Sequence, residues 1–510
     1  MAFPSILFAQ GKPAFNPGNL VVSRTVYDNL AGNVTANQTQ LPPGCTGANC
    51  VTAVADGTFP YIFNNAPVDG SFGITSRIFL DHSTPSGNVI SSIEVPTNQL
   101  VGSFSSKSEL ALHLSTDGRY LTFMGYVAPV NGLDVSNSNT PGVVDPTNPV
   151  PGTYYRAVAT VDRWGNFSFT PTNAYSGNNG RAAILNNTSG NPVFYTAGNA
   201  GNGSNPQPAG VVLGAGAQII DFVPQSSQAP GVPTPVGNFS VTELNDKADK
   251  VGKDDNFRGI TIFNNVVYYT KGSGGNGVNT VYFVDTTGEA CPNGVGLPSK
   301  SAVLPSAPFT FNTSTGNPTN MCVLAGFPTL SNKNGNPLNY PFALWFADAN
   351  TLYVADEGDG TATYNAATNT YTAAAANPNA GLEKWIFNSA TQQWAPAYTL
   401  QNGLNLGTPY TVPGYPTGTN TATGLPWSPT TDGLRNITGQ VNNDGTVTIW
   451  AITSTVSGSG DTGADPDKLV VITDTLANTM AAGAAHEQFK TLRTAGFGEV
   501  LRGVSFGPSN

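Results

Sequence analysis

Apolar side chains recur at every second position in short runs along this chain, and Gly, Asn, Asp and Pro break the runs. The stretch RGITIFNNVVYYTKG (258–272) is representative: two alternating strands meet at a tight Asn264-Asn265 turn. Similar strand pairs are predicted over 109–126, turning at Asp117-Gly118, and over 154–172, turning near Trp164-Gly165-Asn166. Further pairs lie at 181–198, 341–360, 381–400 and 434–453, with additional strands at 210–224, 279–288, 468–475 and 499–508. No stretch sustains a 3.6-residue period. The best helix expectation is short, around TMAAGAAHEQFKTLRTA (479–495).

These pairs form a repeat hidden under loops of unequal length. The last strand, 499–508, has no partners after it, and the N-terminus supplies three strands without an opener, at 18–26, 76–84 and 88–96. Ring closure answers both observations: the C-terminal strand becomes the innermost strand of a blade that the N-terminal three complete. The expected fold class is all-β, a single β-propeller. Openers near 110, 181, 258, 342, 435 and 502 count six blades; seven requires a degenerate blade within 200–250. Residues 1–17 are then an N-terminal extension and 18–510 the propeller. The blade architecture resembles secreted bacterial-type β-propellers over nearly the whole chain. It lacks the G-H/W-D pattern of WD40 blades and the repeated Asp-box of sialidases. The resemblance therefore implies a fold and no particular activity.

Four openers carry an arginine: Arg181, Arg258, Arg435 and Arg502. First strands line a propeller's channel, and their heads share a face with the loops joining second to third strands. Those loops are long here, at 127–153, 198–209, 271–278, 356–381 and 454–467, whereas the opposite turns are mostly short. One face is thus elaborated. The arginines are expected around the channel mouth on that face, with Glu109 and Pro341-Phe342 at the matching places of two other blades. Two readings compete. In the favoured one, each arginine pairs with nearby acids such as Asp254, Asp255, Asp432 and Glu499 in an inter-blade network. In the other, the guanidinium forks bind a carboxylate, sulfate or phosphate ligand.

Composition narrows the classes. Charged residues are only 10% of the chain, against roughly 25% in an average soluble protein, and Gly and Pro number 58 and 39. The net charge of −10, with no basic patch, disfavours a nucleic-acid partner. No apolar run approaches a membrane span. The start, MAFPSILFAQGKPAF, is too short for a signal peptide and reads as a mature chain whose export signal has been removed. Four cysteines in loops favour two disulfides, Cys45–Cys50 and Cys291–Cys322. Sequons begin at Asn33, Asn37, Asn166, Asn186, Asn202, Asn238, Asn312 and Asn436. Together these suggest a secreted, extracellular or periplasmic protein.

Two acidic loops share the elaborated face. One offers Asp356, Glu357 and Asp359, the other Asp461, Asp465 and Asp467. Carboxylates in Gly-rich loops suit Ca²⁺, although neither loop has the EF-hand pattern, and a solvated acidic turn is the bland alternative. GVSFG (503–507) around Ser505 and GSGGNG (272–277) lack the helix their motifs require, so both are chance matches. His82, His113 and His486 are scattered, which argues against a histidine metal site or a triad. Trp385 and Trp394 belong to one hairpin and are expected between blades. The functional expectation is a binding propeller that meets a polysaccharide or other extracellular surface component with its long-loop face. One alternative is a subunit assembling with copies of itself. The other is a hydrolase or lyase acting on an anionic polymer. An enzyme should show a channel-mouth pocket with convergent acids and arginines; a lectin-like module should show exposed aromatics there.

Overall fold

A computed structural model describes residues 13–28, 74–104, 110–132, 155–172, 179–199, 216–224, 236–238, 256–272, 278–307, 321–330 and 339–510 except 462, with isolated residues at 32, 35, 37–41, 51–52 and 174–175. Beside three two-stranded ribbons, its strands make six larger antiparallel sheets arranged in a ring, a six-bladed β-propeller. From the channel outward, blade 1 runs His113–Leu114, Tyr120–Val127, Tyr155–Asp162 and Phe167–Thr172. Blade 2 runs Gly180–Asn186, Val193–Gly198, Ala217–Asp221 and Val236–Asn238. Blade 3 runs Phe257–Phe263, Val266–Lys271, Thr280–Val284 and Met321–Leu324. Blade 4 runs Pro341–Asp348, Thr351–Asp356, Gly381–Asn388 and Gln393–Leu400. Blade 5 runs Thr430–Val441, Thr446–Val456, Lys468–Thr475 and Lys490–Thr494. Blade 6 closes the ring: Glu499–Phe506 lies innermost, followed by Leu20–Val26, Thr75–Ser83 and Val89–Glu94.

The closure is antiparallel, pairing Leu20 with Phe506, Val22 with Val504 and Val26 with Glu499. Both ends of the chain then pack on blade 1. Ala14 and Phe15 donate their amides to the Arg163 carbonyl, and Ser509 donates to Gly118. Phe15, from the stretch read as an extension, is fully buried.

Local chemistry explains the hairpins. Asn264 and Asn265 both hold positive φ, +48° and +61°, the pair of values a type I′ turn needs to match the strand twist. The helix expectation over 479–495 is overturned. Ala481–Ala484 is a single 3₁₀ turn, and Lys490–Thr494 is the outer strand of blade 5. Leu469 and Val470 offer an unpaired ladder opposite Arg493 and Thr491, and that pairing overrides local helix propensity. The plain face is less plain than expected. Third-to-fourth connections are long in blades 2, 3 and 5, spanning 222–235, 285–320 and 476–489.

In blade 3 that connection carries Cys291, which lies at disulfide distance from Cys322 on the outer strand, Cα to Cα 5.9 Å. Cys45 and Cys50 fall outside the described residues. Two sequons are closed to modification: Asn186 and Asn436 are buried, donating to the Tyr195 hydroxyl and the Arg502 carbonyl. Trp385 and Trp394 of blade 4 meet blade 3 as expected: Trp385 stacks on Phe327 at 3.9 Å, and Trp394 donates its amide to the Ala325 carbonyl at 2.9 Å. Among the described residues no helix is long and apolar enough to cross a membrane.

A buried carboxylate clamps the closure. Asp81, 1% exposed, accepts from Arg24 at 2.8 Å, from Arg493 of blade 5 at 2.7 Å and from Ser92 at 2.6 Å. Arg24 also reaches Glu499 at 2.7 Å, so the clamp ties the C-terminal strand to the N-terminal one. Burial alone pushes the Asp81 carboxyl up, but its bonds to Arg24, Ser92 and Arg493 outweigh that and hold it below its ordinary value. Replacing Asp81 by Ala leaves two guanidiniums without their shared charge. It should cost about 3 kcal/mol in denaturant unfolding. Arg77→Ala, at the exposed pair with Glu94, should cost less than about 1 kcal/mol.

Candidate functional site

The arginines occupy a recurring backbone irregularity. The inner strand slips register against its partner around Arg181, around Arg258-Gly259, around Arg435-Asn436 and around Arg502-Gly503, and it slips at Phe342 in blade 4. Each is a β-bulge, which leaves one residue out of the ladder and re-aims its side chain. In two blades the bulge is stitched to the next blade by one relay. Gly259 donates its amide to the Thr270 hydroxyl, which donates to the Phe342 carbonyl. Gly503 donates to Ser23, which donates to the Leu110 carbonyl. Glycine is required at both places, because a Cβ would stand 2.2 Å from the Phe342 oxygen or 2.5 Å from the Leu110 oxygen.

All four guanidiniums are buried and engaged by the protein. Arg181 donates to Asn256 and to the Phe257 carbonyl of blade 3. Arg502 donates to Thr25 and to the carbonyls of Ser103 and Phe104. Arg258 and Arg435 share Glu357, each at 3.2 Å. They also flank the Phe342 ring, at 5.7 and 5.6 Å from its centre. Blade 4 thus lacks an arginine at the recurring place and supplies there the aromatic face and carboxylate that its neighbours use. Glu357, one of the calcium candidates, is an ion-pair partner. Asp254, Asp255 and Glu109 lie outside the described residues. Glu499 serves Arg24 in the closure clamp.

Arg258 and Arg435 line a pocket of about 320 Å³ with Tyr340, Glu357, Asp359 and Asp432. Gly358, Gly360 and Gly460 from the second-to-third loops complete its wall. It lies at the channel mouth on the elaborated face, between blades 3, 4 and 5. Arg181 and Arg502 do not line it. Asp432 carries the pocket's distinctive chemistry. It is 1% exposed; its Oδ2 accepts from Gly360 at 2.9 Å, and its Oδ1 has no hydrogen-bond partner among the described residues. Burial, reinforced by Asp359, Glu357 and Asp356, pushes its carboxyl up to about 7. Asp356 is fully buried, accepting from Tyr340 and Gly358; burial and the charge of Glu383 raise it well above the usual carboxylate range. Glu383, bonded to the Trp385 indole, is itself pushed up to about 7 by burial.

The second acidic loop is not a solvated turn either. Asp461, Asp465 and Asp467 are all buried. Asp461 accepts from the Gly463 amide, Asp465 from Tyr415 and Ser457, and Asp467 from the Leu501 amide. Burial raises Asp465 to about 6 and Asp467 to about 8, with Arg502 and Arg435 opposing the second shift. Among the described residues neither loop gathers three donor atoms within 4.8 Å of one another. Among the described residues only Asp285, Cys291 and Cys322 bring three such donor atoms within 4.8 Å, and both sulfurs belong to the disulfide pair. His82 is buried between Asn16 and Asn19, His486 is exposed, and Ser505 lies within the closing strand.

The sequence placed the arginines and the DEGDG loop on one face. Asp432 entered only as an ion-pair partner, and Tyr340 and Glu383 carried no signal at all. The site defines the class: a six-bladed β-propeller with an acid-rich pocket at its elaborated mouth. No family model matches the chain, and no curated protein matches it.

Glu357→Gln removes the charge that both Arg258 and Arg435 share, and should destabilise the fold by about 3 kcal/mol. Adding Arg258→Met should recover part of that loss, a non-additivity read by a double-mutant cycle. The raised acids set a pH dependence. Asp432, Glu383, Asp465 and Asp467 hold protons in the fold that the unfolded chain releases near pH 4. Their contribution is full at acid pH and is lost as pH rises through about 6 to 8. The unfolding midpoint should therefore fall between about pH 5 and about pH 8.5, and Asp467→Asn should flatten that slope.

Proposed function

We propose that this propeller is an extracellular recognition module that takes a hydroxyl-rich unit of a polysaccharide or surface glycan into the channel-mouth pocket. The observation that carries the reading is Asp432, a buried carboxyl with an unpartnered oxygen on the wall of a polar pocket of about 320 Å³. That volume is at the small end for ligand sites and suits one or two sugar rings rather than a long segment. Carboxyl and guanidinium groups in fixed positions accept from and donate to the paired hydroxyls of a sugar. Among the described residues Tyr340 is the only aromatic lining the pocket, so recognition rests on hydrogen bonds more than on stacking. The pocket does not favour an anionic polymer. Its two guanidiniums share Glu357, and Asp359 adds a further carboxylate.

One observation favours a second reading, hydrolysis of a neutral glycan. Convergent acids and arginines are the signature expected of an enzyme, and a carboxyl held at about 7 is suited to general acid catalysis near neutral pH. Binding is common to both readings and comes first. On an array of neutral and anionic glycans the protein should retain neutral ones, unchanged by chelation of divalent cations. Asp432→Asn should weaken retention about tenfold. Preference for sulfated or uronic-acid glycans would sink the proposal. Release of reducing sugar by the unaltered protein, lost in Asp432→Asn, would select the hydrolase.

A further inference from the structure

The opposite end of the channel holds a second cavity of different character. It encloses about 610 Å³ and is lined by inner-strand residues of all six blades. Among the described residues no Asp, Glu, Lys or Arg lines it. Its polar groups are hydroxyls and amides, such as those of Ser115, Thr261, Asn264 and Thr438, set among Leu, Ile and Trp345. The one titratable group among the described lining residues is His113. Its ring bonds the Ile260 carbonyl, and its Nδ1 has no partner among the described residues. Burial holds the imidazole down to about 4, so at neutral pH it is uncharged and Nδ1 is an acceptor. The Trp345 indole lies against Gly439, where a Cβ would stand 2.7 Å from the ring; glycine there lets the indole lie flat on the cavity wall.

We propose that this cavity is a second binding site, for an uncharged amphipathic small molecule that carries a hydroxyl or amide donor. The reason is dielectric as much as geometric. An ionic ligand would lose its hydration and find no countercharge, whereas an apolar body with one donor meets aliphatic walls and an imidazole acceptor. The charged mouth and this cavity therefore select opposite ligand chemistries from the two ends of one channel, and the second site stands whether or not the first binds a glycan.

Trp345 provides the readout. β-Naphthol, neutral at pH 7 and bearing one hydroxyl, is titrated into the full chain with tryptophan fluorescence followed. Saturable quenching that disappears in Trp345→Phe, and about tenfold weaker binding of the anionic naphthalene-2-sulfonate, are the expected results. His113→Phe should weaken β-naphthol about tenfold by removing the acceptor. Absence of saturable quenching overturns the site. Equal affinity for the two probes overturns its selectivity without needing any variant to fold. Unchanged affinity in a folded His113→Phe protein overturns the role of the imidazole.

Discussion

Pairing of Glu499–Phe506 with Leu20–Val26 joins the two ends of the chain, and every other relation in the molecule presupposes it. A propeller blade buries its apolar faces only against its two neighbours, so an open ring would leave two faces wet. Closure removes both at once. It is held by a main-chain ladder, by the Ser23 relay into blade 1, and by Asp81 between Arg24 and Arg493. The clamp is placed where it counts most, because it binds segments of the chain that are more than four hundred residues apart.

The bulges turn this scaffold into a site. A regular strand would alternate its side chains between the two faces of its blade. A register slip at the same height in successive inner strands instead sends Arg258, Arg435 and Phe342 toward one another at the channel mouth. Two guanidiniums brought that close repel, and Glu357 from the end of a neighbouring strand neutralises them. The acids around this core are then shielded from water and held protonated well above their ordinary range. The pocket's polarity is thus a consequence of how the inner strands are packed.

The channel carries a chemical gradient from end to end. At the elaborated mouth the second-to-third loops bring Glu357, Asp359 and Gly460 to the bulged strand heads, and charge accumulates. At the other end the inner strands run out into hairpin turns such as Asn264-Asn265, and the polar groups of the described residues are hydroxyls, amides and one neutral imidazole. The difference follows from which strand ends meet long loops and which meet tight turns.

Much of the fold was legible in the sequence because strand alternation, turn residues and the unpaired terminal strands are local or nearly local signals. Six openers and the closing blade could be counted from them. The outer strand Lys490–Thr494 was not legible, since its residues favour a helix until the ladder of Lys468–Thr475 is presented to it. The arginines announced themselves through repetition, but their partners did not. Glu357 lies 99 residues beyond Arg258 and 78 before Arg435, and nothing in the chain links them. By itself the sequence determined that there would be a closed ring of blades with arginines at the strand heads, because periodicity and repetition survive in one dimension. Only the tertiary structure decided which carboxylate neutralises them, which acid is left with an unsatisfied oxygen and which end of the channel is charged. Burial and proximity, which set those properties, arise only when distant blades meet.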